Sequence, residues 1–474
     1  MKRIDITPVT RVEGHAKISI FLEKDGTIKD ARFQVTDFRG FEKFCEGRPF
    51  YEMPSITSRI CGICPVSHLL ASIKACDEIV AIKISRSAEL LRRLMHMGQI
   101  VQSHALSFFY LSSPDFLLGM GADPAVRNIF GLIEKYPEVA KKGIKLRKFG
   151  QEIIELLAGK RIHSSDWLVP GGVKDSLPKD KCKKIFATLP EALDIILEML
   201  SMFKAKLSGL GEEVENLGNF PTYYLGLVGS NGELEHYDGK IRVVDPTGKI
   251  VADKLDPNKY YEYIGEAVES WSYMKFPFYK SLGYPKGVYR VGPLARLNII
   301  SRCGTPLADV ELKEFKNLGK DGVVQNTFLY HYARLIEVLF CLEKIKDILE
   351  DPEVYSNNVW AKASVNRSEG IGVAEAPRGT LIHHYKVDKE GLITWVNMII
   401  ATENNNLAYN MAVTQVAKKY VTQKRLTESF LNRIEAVVRA FDPCLSCATH
   451  AIGQMALDAH LYDYEGKLID RLTH

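Results

Sequence analysis

Two CxxC units, each followed by a histidine, lie far apart in this chain: Cys61-Gly-Ile-Cys64 with His68, and Cys444-Leu-Ser-Cys447 with His450. Four thiolates are the donor set a soft transition metal prefers. In a zinc ribbon the pairs sit about 15 to 20 residues apart, whereas here 444 − 64 − 1 = 379 residues intervene. A shared site therefore requires a large domain folded around it, and residues 1–474 read as one functional unit without a linker or internal repeat.

The 474 residues exceed the usual single-domain span, roughly 50 to 250 residues. With 46% hydrophobic and 25% charged residues the composition is that of a globular protein. The net charge of +4 is spread along the chain, which points to neither nucleic acid nor an anionic membrane as partner. No apolar run reaches the ~18 to 20 residues of a membrane span. Charge at Lys2, Arg3 and Asp5 interrupts any signal-peptide core, so a cytoplasmic location is expected. Nine cysteines, an odd number with four in CxxC units, fit a reducing compartment with metal-bound thiolates. Cys45, Cys76, Cys182, Cys303 and Cys341 read as small buried hydrophobes.

Alternation over 16–22 and 31–36 about Asp25-Gly26 predicts a half-buried hairpin. Helical periodicity begins near 66 and continues in a segment from Ser85, whose apolar face runs from Leu90 to Phe109. Further helices are expected over 124–158 with a break near Pro137, over 189–215 after Pro190, over 323–349, and as a pair over 405–440. Residues 219–260 read as a small β excursion on the surface, and 371–401 as a strand pair about Lys389-Glu390-Gly391. The expected class is α+β: a mainly helical core bundle with peripheral antiparallel sheets and hairpins.

Arg59-Ile-Cys61-Gly-Ile-Cys64-Pro-Val-Ser-His68 and Asp442-Pro-Cys444-Leu-Ser-Cys447-Ala-Thr-His450 resemble the two signature motifs of nickel-iron hydrogenase large subunits. Thr10-Arg-Val-Glu-Gly-His15, Phe38-Arg-Gly-Phe-Glu42 and Glu375-Ala-Pro-Arg-Gly-Thr380 look like three further motifs in the family's order. The resemblance spans the chain and implies that family's fold, with a catalytic domain over 1–450. It also implies that Cys61, Cys64, Cys444 and Cys447 bind nickel, with Cys64 and Cys447 bridging to an iron that carries carbon monoxide and cyanide. A thiolate base beside a Lewis-acidic metal suits the heterolysis of dihydrogen.

By the same resemblance Glu13 takes the proton from Cys444. Arg378 hangs over the metals with Asp115 orienting it, and Pro377 and Thr402 line the pocket. Glu42 and His450 would hold magnesium, for which oxygen and imidazole donors with retained water are acceptable. His68 would hydrogen-bond a bridging thiolate. Residues 451–474, which follow the motif that closes mature family members, resemble an extension removed by a maturation endopeptidase after nickel insertion.

The chain has no spare cysteine array for iron-sulfur clusters. The resemblance therefore implies an iron-sulfur small subunit, nickel-insertion factors, and further electron carriers. Gly287–Asn298, Asn404–Ala408 and Gly453–Met455 look most like the cytoplasmic bidirectional group, whose flavin subunits reduce NAD. A sibling group passing electrons to ferredoxin and heterodisulfide reductase shares many of these stretches. The quinone-site subunit of respiratory complex I has a similar fold but lacks the nickel cysteines.

Overall fold

Proline and serine set the starts of the two helices that follow the first cysteine pair. In the computed structural model, which describes residues 2–421, 427–451, 458–462, 465 and 467–473, helix Pro65–Val80 begins directly after Cys64. Its first position is a proline, whose missing N–H costs nothing there. Ser85 caps helix Arg86–Ala105 by accepting the Ala88 N–H at 3.2 Å. That helix then widens into π-helical turns over Leu106–Ser112 and Pro114–Leu118, the second carrying Asp115.

Helix Arg86–Ala105 packs on Pro137–Ala158 and on Tyr330–Glu350, and Tyr330–Glu350 packs on Lys179–Ser208. The expected 124–158 helix divides at Pro137 into Ile129–Lys135 and Pro137–Ala158, with Asn128 as the N-cap and Gly159 in the left-handed region as the stop. The helix expected over 189–215 starts ten residues earlier, at Lys179, and carries Pro190 inside it. Burial of Cys182, Ile185, Leu189, Ile196, Met199 and Phe203 along one face outweighs the backbone hydrogen bond that proline removes. The 323–349 segment becomes helical only at Tyr330, and 405–440 resolves into Asn406–Tyr420 and Glu428–Phe441.

The N-terminal hairpin gains a third strand, Lys2–Ile6, paired antiparallel to Ala16–Leu22. The excursion over 219–260 is only partly superficial: its strand Ile250–Leu255 forms an exposed sheet edge. Its strands Tyr223–Val228 and Lys240–Val244 are buried, and Leu225, Leu227, Ile241 and Val243 form a second core with Ile371, Val373, Ile382 and Ile399. Tyr289–Arg290 joins this sheet parallel to Tyr223–Val228. Residues 371–401 hold three strands instead of two: Glu369–Ala376, Gly379–Val387 and Ile393–Ile399 in that order. The extra hairpin turns on Pro377-Arg378 alone, which lacks the Asn-Gly or Asp-Gly pair that marks a two-residue turn in a sequence. The Gly453–Met455 stretch lies outside the described residues.

Strand Glu369–Ala376 lies flush against helix Pro65–Val80. A Cβ on Gly372 would stand 1.9 Å from the Ala71 carbonyl oxygen and 2.6 Å from the Ala75 nitrogen. This contact ties the helix that starts at Cys64 to the strand that leads to Arg378.

Candidate metal centre

The first CxxC unit folds around its own sulfur, Cys61 Sγ accepting the N–H groups of Ile63 and Cys64 at 3.1 and 3.3 Å. The second follows helix Glu428–Phe441, which ends on Asp442 with φ 61°. Glu13 and Cys444 pair as a parallel bridge, the Leu445 N–H donating to the Glu13 carbonyl at 3.0 Å. The N-terminal segment thus holds the second cysteine loop in place.

These two loops bring the four sulfurs within 4.8 Å of one another. Cys61 Sγ lies 3.2 Å from Cys444 Sγ, Cys64 Sγ 3.6 Å from Cys447 Sγ, and Cys444 Sγ 2.9 Å from Cys447 Sγ. All four are buried and free of disulfides. Hydrogen bonds from the Cys444, Cys447 and Cys61 thiols and from His68 hold Cys64 well below the ordinary thiol range. Burial pushes Cys444 and Cys447 well above it. Four such thiols cannot all ionise in a dry pocket without a cation among them, so the donor set fits a thiophilic metal.

Arg378 is 3% exposed and donates to the Asp442 carbonyl at 2.6 Å, to Asp442 Oδ1 at 3.2 Å and to Ser103 Oγ at 3.5 Å. Burial alone would lower its pKa, but the negative charge of Asp442, and of Cys444, Cys64 and Cys61 when ionised, outweighs burial and holds it well above the ordinary value. Asp115 does not orient it. That carboxylate meets Arg11, Arg439 Nε at 2.9 Å and Asn432 Nδ2 at 3.2 Å, with Arg127 at 3.9 Å. Burial opposes its ionisation, yet Arg439 and Arg11 hold it below the usual carboxylate range. The carboxylate that orients Arg378 is Asp442, two residues before Cys444, and its place in the second signature motif was a signal for it.

Glu13 is half-buried and accepts the Ser446 N–H at 3.0 Å through Oε2, while its neighbour Arg11 turns away to Asp115 and the Leu111 carbonyl. The Thr402 hydroxyl accepts the Cys444 N–H at 3.0 Å, and the Pro377 carbonyl accepts from Arg296 at 3.2 Å. His68 Nδ1 lies 3.2 Å from His383 Nε2, and His383 Nδ1 continues at 2.5 Å to the Tyr385 hydroxyl. His383 had no sequence signal beyond its type.

Glu42 accepts from Lys275 Nζ and the Met398 N–H, both at 2.8 Å. Burial raises its pKa, with Lys275 opposing. His450 is buried, and neither of its ring nitrogens has a hydrogen-bond partner. Burial and then Lys275 lower its pKa to about 3, so the ring is neutral and able to ligate. Lys275 also binds Glu266 and Asn397, a role that residue type alone did not signal.

The nickel-dependent hydrogenase family model matches residues 39–142 and 244–450, and a HoxL-like model matches residues 3–38. The chain is 41% identical to the NAD-reducing hydrogenase HoxS subunit beta of Cupriavidus necator, covering 99% of both. It is also 41% identical, over 100% of both chains, to an F420-non-reducing hydrogenase subunit of Methanothermobacter marburgensis. Among solved structures, a chain of an NAD+-reducing NiFe hydrogenase in the H2-reduced state superposes with TM-score 0.92 at 46% identity, covering 95% of this chain and 100% of that one.

Proposed function

This chain belongs to the nickel-dependent hydrogenase family as its large subunit, and from that premise we propose that it exchanges electrons between dihydrogen and NAD in a cytoplasmic complex. The observation that carries the reading is the closure of four buried cysteine sulfurs beneath a buried arginine. The bound nickel-iron group, with carbon monoxide and cyanide on the iron, supplies heterolytic cleavage of dihydrogen.

The chain's own residues supply the rest. Cys61, Cys64, Cys444 and Cys447 would hold nickel, with Cys64 and Cys447 also available to iron. Cys444 takes up a proton, and Glu13 carries it onward. The backbone bridge between Glu13 and Cys444 supports this relay, as does the absence of an Arg11 partner that would pin the carboxylate. Arg378 places a permanent positive charge over the open face, and Pro377 and Thr402 bound that face. His68 tunes the Cys64 thiolate. Glu42 and His450 hold magnesium, supported by the two unpartnered nitrogens of His450.

Electrons leave through an iron-sulfur small subunit to flavin subunits that reduce NAD. Residues 451–474 are removed by a maturation endopeptidase after nickel insertion. Among the described residues no helix is long and apolar enough to cross a membrane. A second reading, electron delivery to ferredoxin and heterodisulfide reductase, draws on the equal identity to the Methanothermobacter marburgensis protein.

Elemental analysis and infrared spectroscopy of the purified complex test the metal assignment. Nickel and iron with carbon monoxide and cyanide bands are expected, and zinc alone in a matured complex would overturn it. Dihydrogen-dependent reduction of NAD, compared with that of ferredoxin, separates the two acceptors. The intact mass of the loaded chain tests the removal of 451–474.

A further inference from the structure

The stretch Gly287–Asn298, which the sequence set apart without giving it a task, contains an arginine whose surroundings are unusually complete. Arg296, on the short helix Pro293–Ile299, is 0% exposed. A guanidinium has five N–H donors, and here each has an acceptor. Nε and Nη2 grip the two oxygens of Glu337 at 2.6 and 2.7 Å. Nη1 meets Glu375 Oε2 at 2.8 Å and the Ala376 carbonyl at 3.0 Å, and the second Nη2 donor meets the Pro377 carbonyl at 3.2 Å.

Ala376 and Pro377 are the two residues immediately before Arg378. The ladder closes with Ala376 opposite Gly379, so Pro377 and Arg378 are the whole turn. Gly379 has φ 140°, and a Cβ there would lie 2.1 Å from Val291 Cγ2. The turn is therefore pressed onto the segment that delivers Arg296. A second support converges on the same carboxylate: Ser103 touches Arg378, and its neighbour His104 bonds Glu337 at 2.8 Å.

We propose that Arg296, clamped by Glu337, is a positioning residue that fixes the Arg378 turn over the cysteine site through the Ala376 and Pro377 carbonyls. The inference rests on the reading that Arg378 faces the substrate. Lysine keeps the charge but offers three donors without the planar fork, so Arg296→Lys releases part of the turn. Misplacement on the ångström scale costs a reaction about 100-fold.

The test is a double-mutant cycle between Arg296→Lys and Arg378→Lys in the complete complex. Turnover per nickel, KM for dihydrogen, metal content and the cyanide infrared bands are read for each. Arg296→Lys is expected to lower turnover per nickel about 10- to 100-fold, with metal content retained and the cyanide bands shifted. Combined with Arg378→Lys it is expected to add no further loss, because it acts through that residue.

Wild-type turnover in Arg296→Lys overturns the proposal. So do losses that multiply in the double variant, or metal content that falls in step with activity. If Arg378→Lys alone turns over like wild type, the reading of Arg378 fails instead, whatever Arg296→Lys does. Should Arg296→Lys not assemble, Glu337→Gln, which loosens the clamp with Arg296 in place, enters the same cycle under the same criteria.

Discussion

Gly372→Ala should uncouple the two halves of the catalytic pocket without touching any residue in it. The added methyl would stand 1.9 Å from the Ala71 oxygen, and ordinary contact begins near 3.4 Å, so strand and helix must part by 3.4 − 1.9 = 1.5 Å. Neither neighbour is a flexible side chain that can swing aside; both are backbone atoms of helix Pro65–Val80. Overpacking of this kind costs about 1 to 3 kcal/mol, occasionally more, and a displacement forced wholly on backbone belongs at or above the upper end. Because the helix begins at Cys64, the shift falls on the 3.6 Å spacing between Cys64 and Cys447. The expected result is a lowered urea midpoint together with a loss of nickel in the purified complex. Gly209→Ala, whose methyl would meet only the Lys206 oxygen at 3.5 Å, is the control and should stay within about 0.5 kcal/mol of wild type. Wild-type nickel content and stability in Gly372→Ala would refute the coupling of strand to site.

Glu13→Gln should suppress proton exchange by about 100-fold or more, the usual contribution of a positioned acid or base, with nickel and iron retained; unchanged hydrogen–deuterium exchange would remove Glu13 from the proton route. Asp115→Asn leaves Arg11 and Arg439 with a weakened partner in a buried setting, so it should destabilise the chain by about 3 kcal/mol or more and cut yield more than turnover per nickel, as read by denaturation and metal-normalised activity. Burial lowers His104 to about 4 from its ordinary 6.5, although Glu337 opposes this. The unfolded chain then binds a proton that the folded chain refuses between those values. Stability from this group is full above pH 6.5 and falls as pH drops toward 4, by about 3 kcal/mol in all. His104→Gln should flatten urea midpoints across that window, and identical profiles would exclude the effect.

The elements set by local chemistry were legible in the sequence. Ser85, Pro137 and Gly159 act through caps and breaks that depend on their own few neighbours, and the four cysteines declared a soft-metal site by type and spacing. What was not legible depends on distant surfaces. Pro190 reads as a helix start, and only the buried face of Lys179–Ser208 shows why the helix runs through it. Strands Tyr223–Val228 and Lys240–Val244 looked peripheral because the sheet that covers them is more than a hundred residues away. Arg378 could have met either Asp115 or Asp442, and the choice was decided by Arg11 and Arg439 occupying the former. Lys275, Arg296 and His383 are common residue types whose roles exist only after folding.

The long gap between the two cysteine pairs also has a consequence in time. At synthesis rates of about 5 to 20 residues per second, the 379 residues between Cys64 and Cys444 take roughly 20 to 75 seconds to make. For most of that interval, once the chain behind them has cleared the ribosomal tunnel, Cys61 and Cys64 are exposed while their partners do not yet exist. Helix Pro65–Val80 also waits, since the strand carrying Gly372 emerges some 300 residues after it begins. The pocket thus has a built-in delay during which its first two thiols stand open to solvent, to oxidants and to whatever carrier brings the metals.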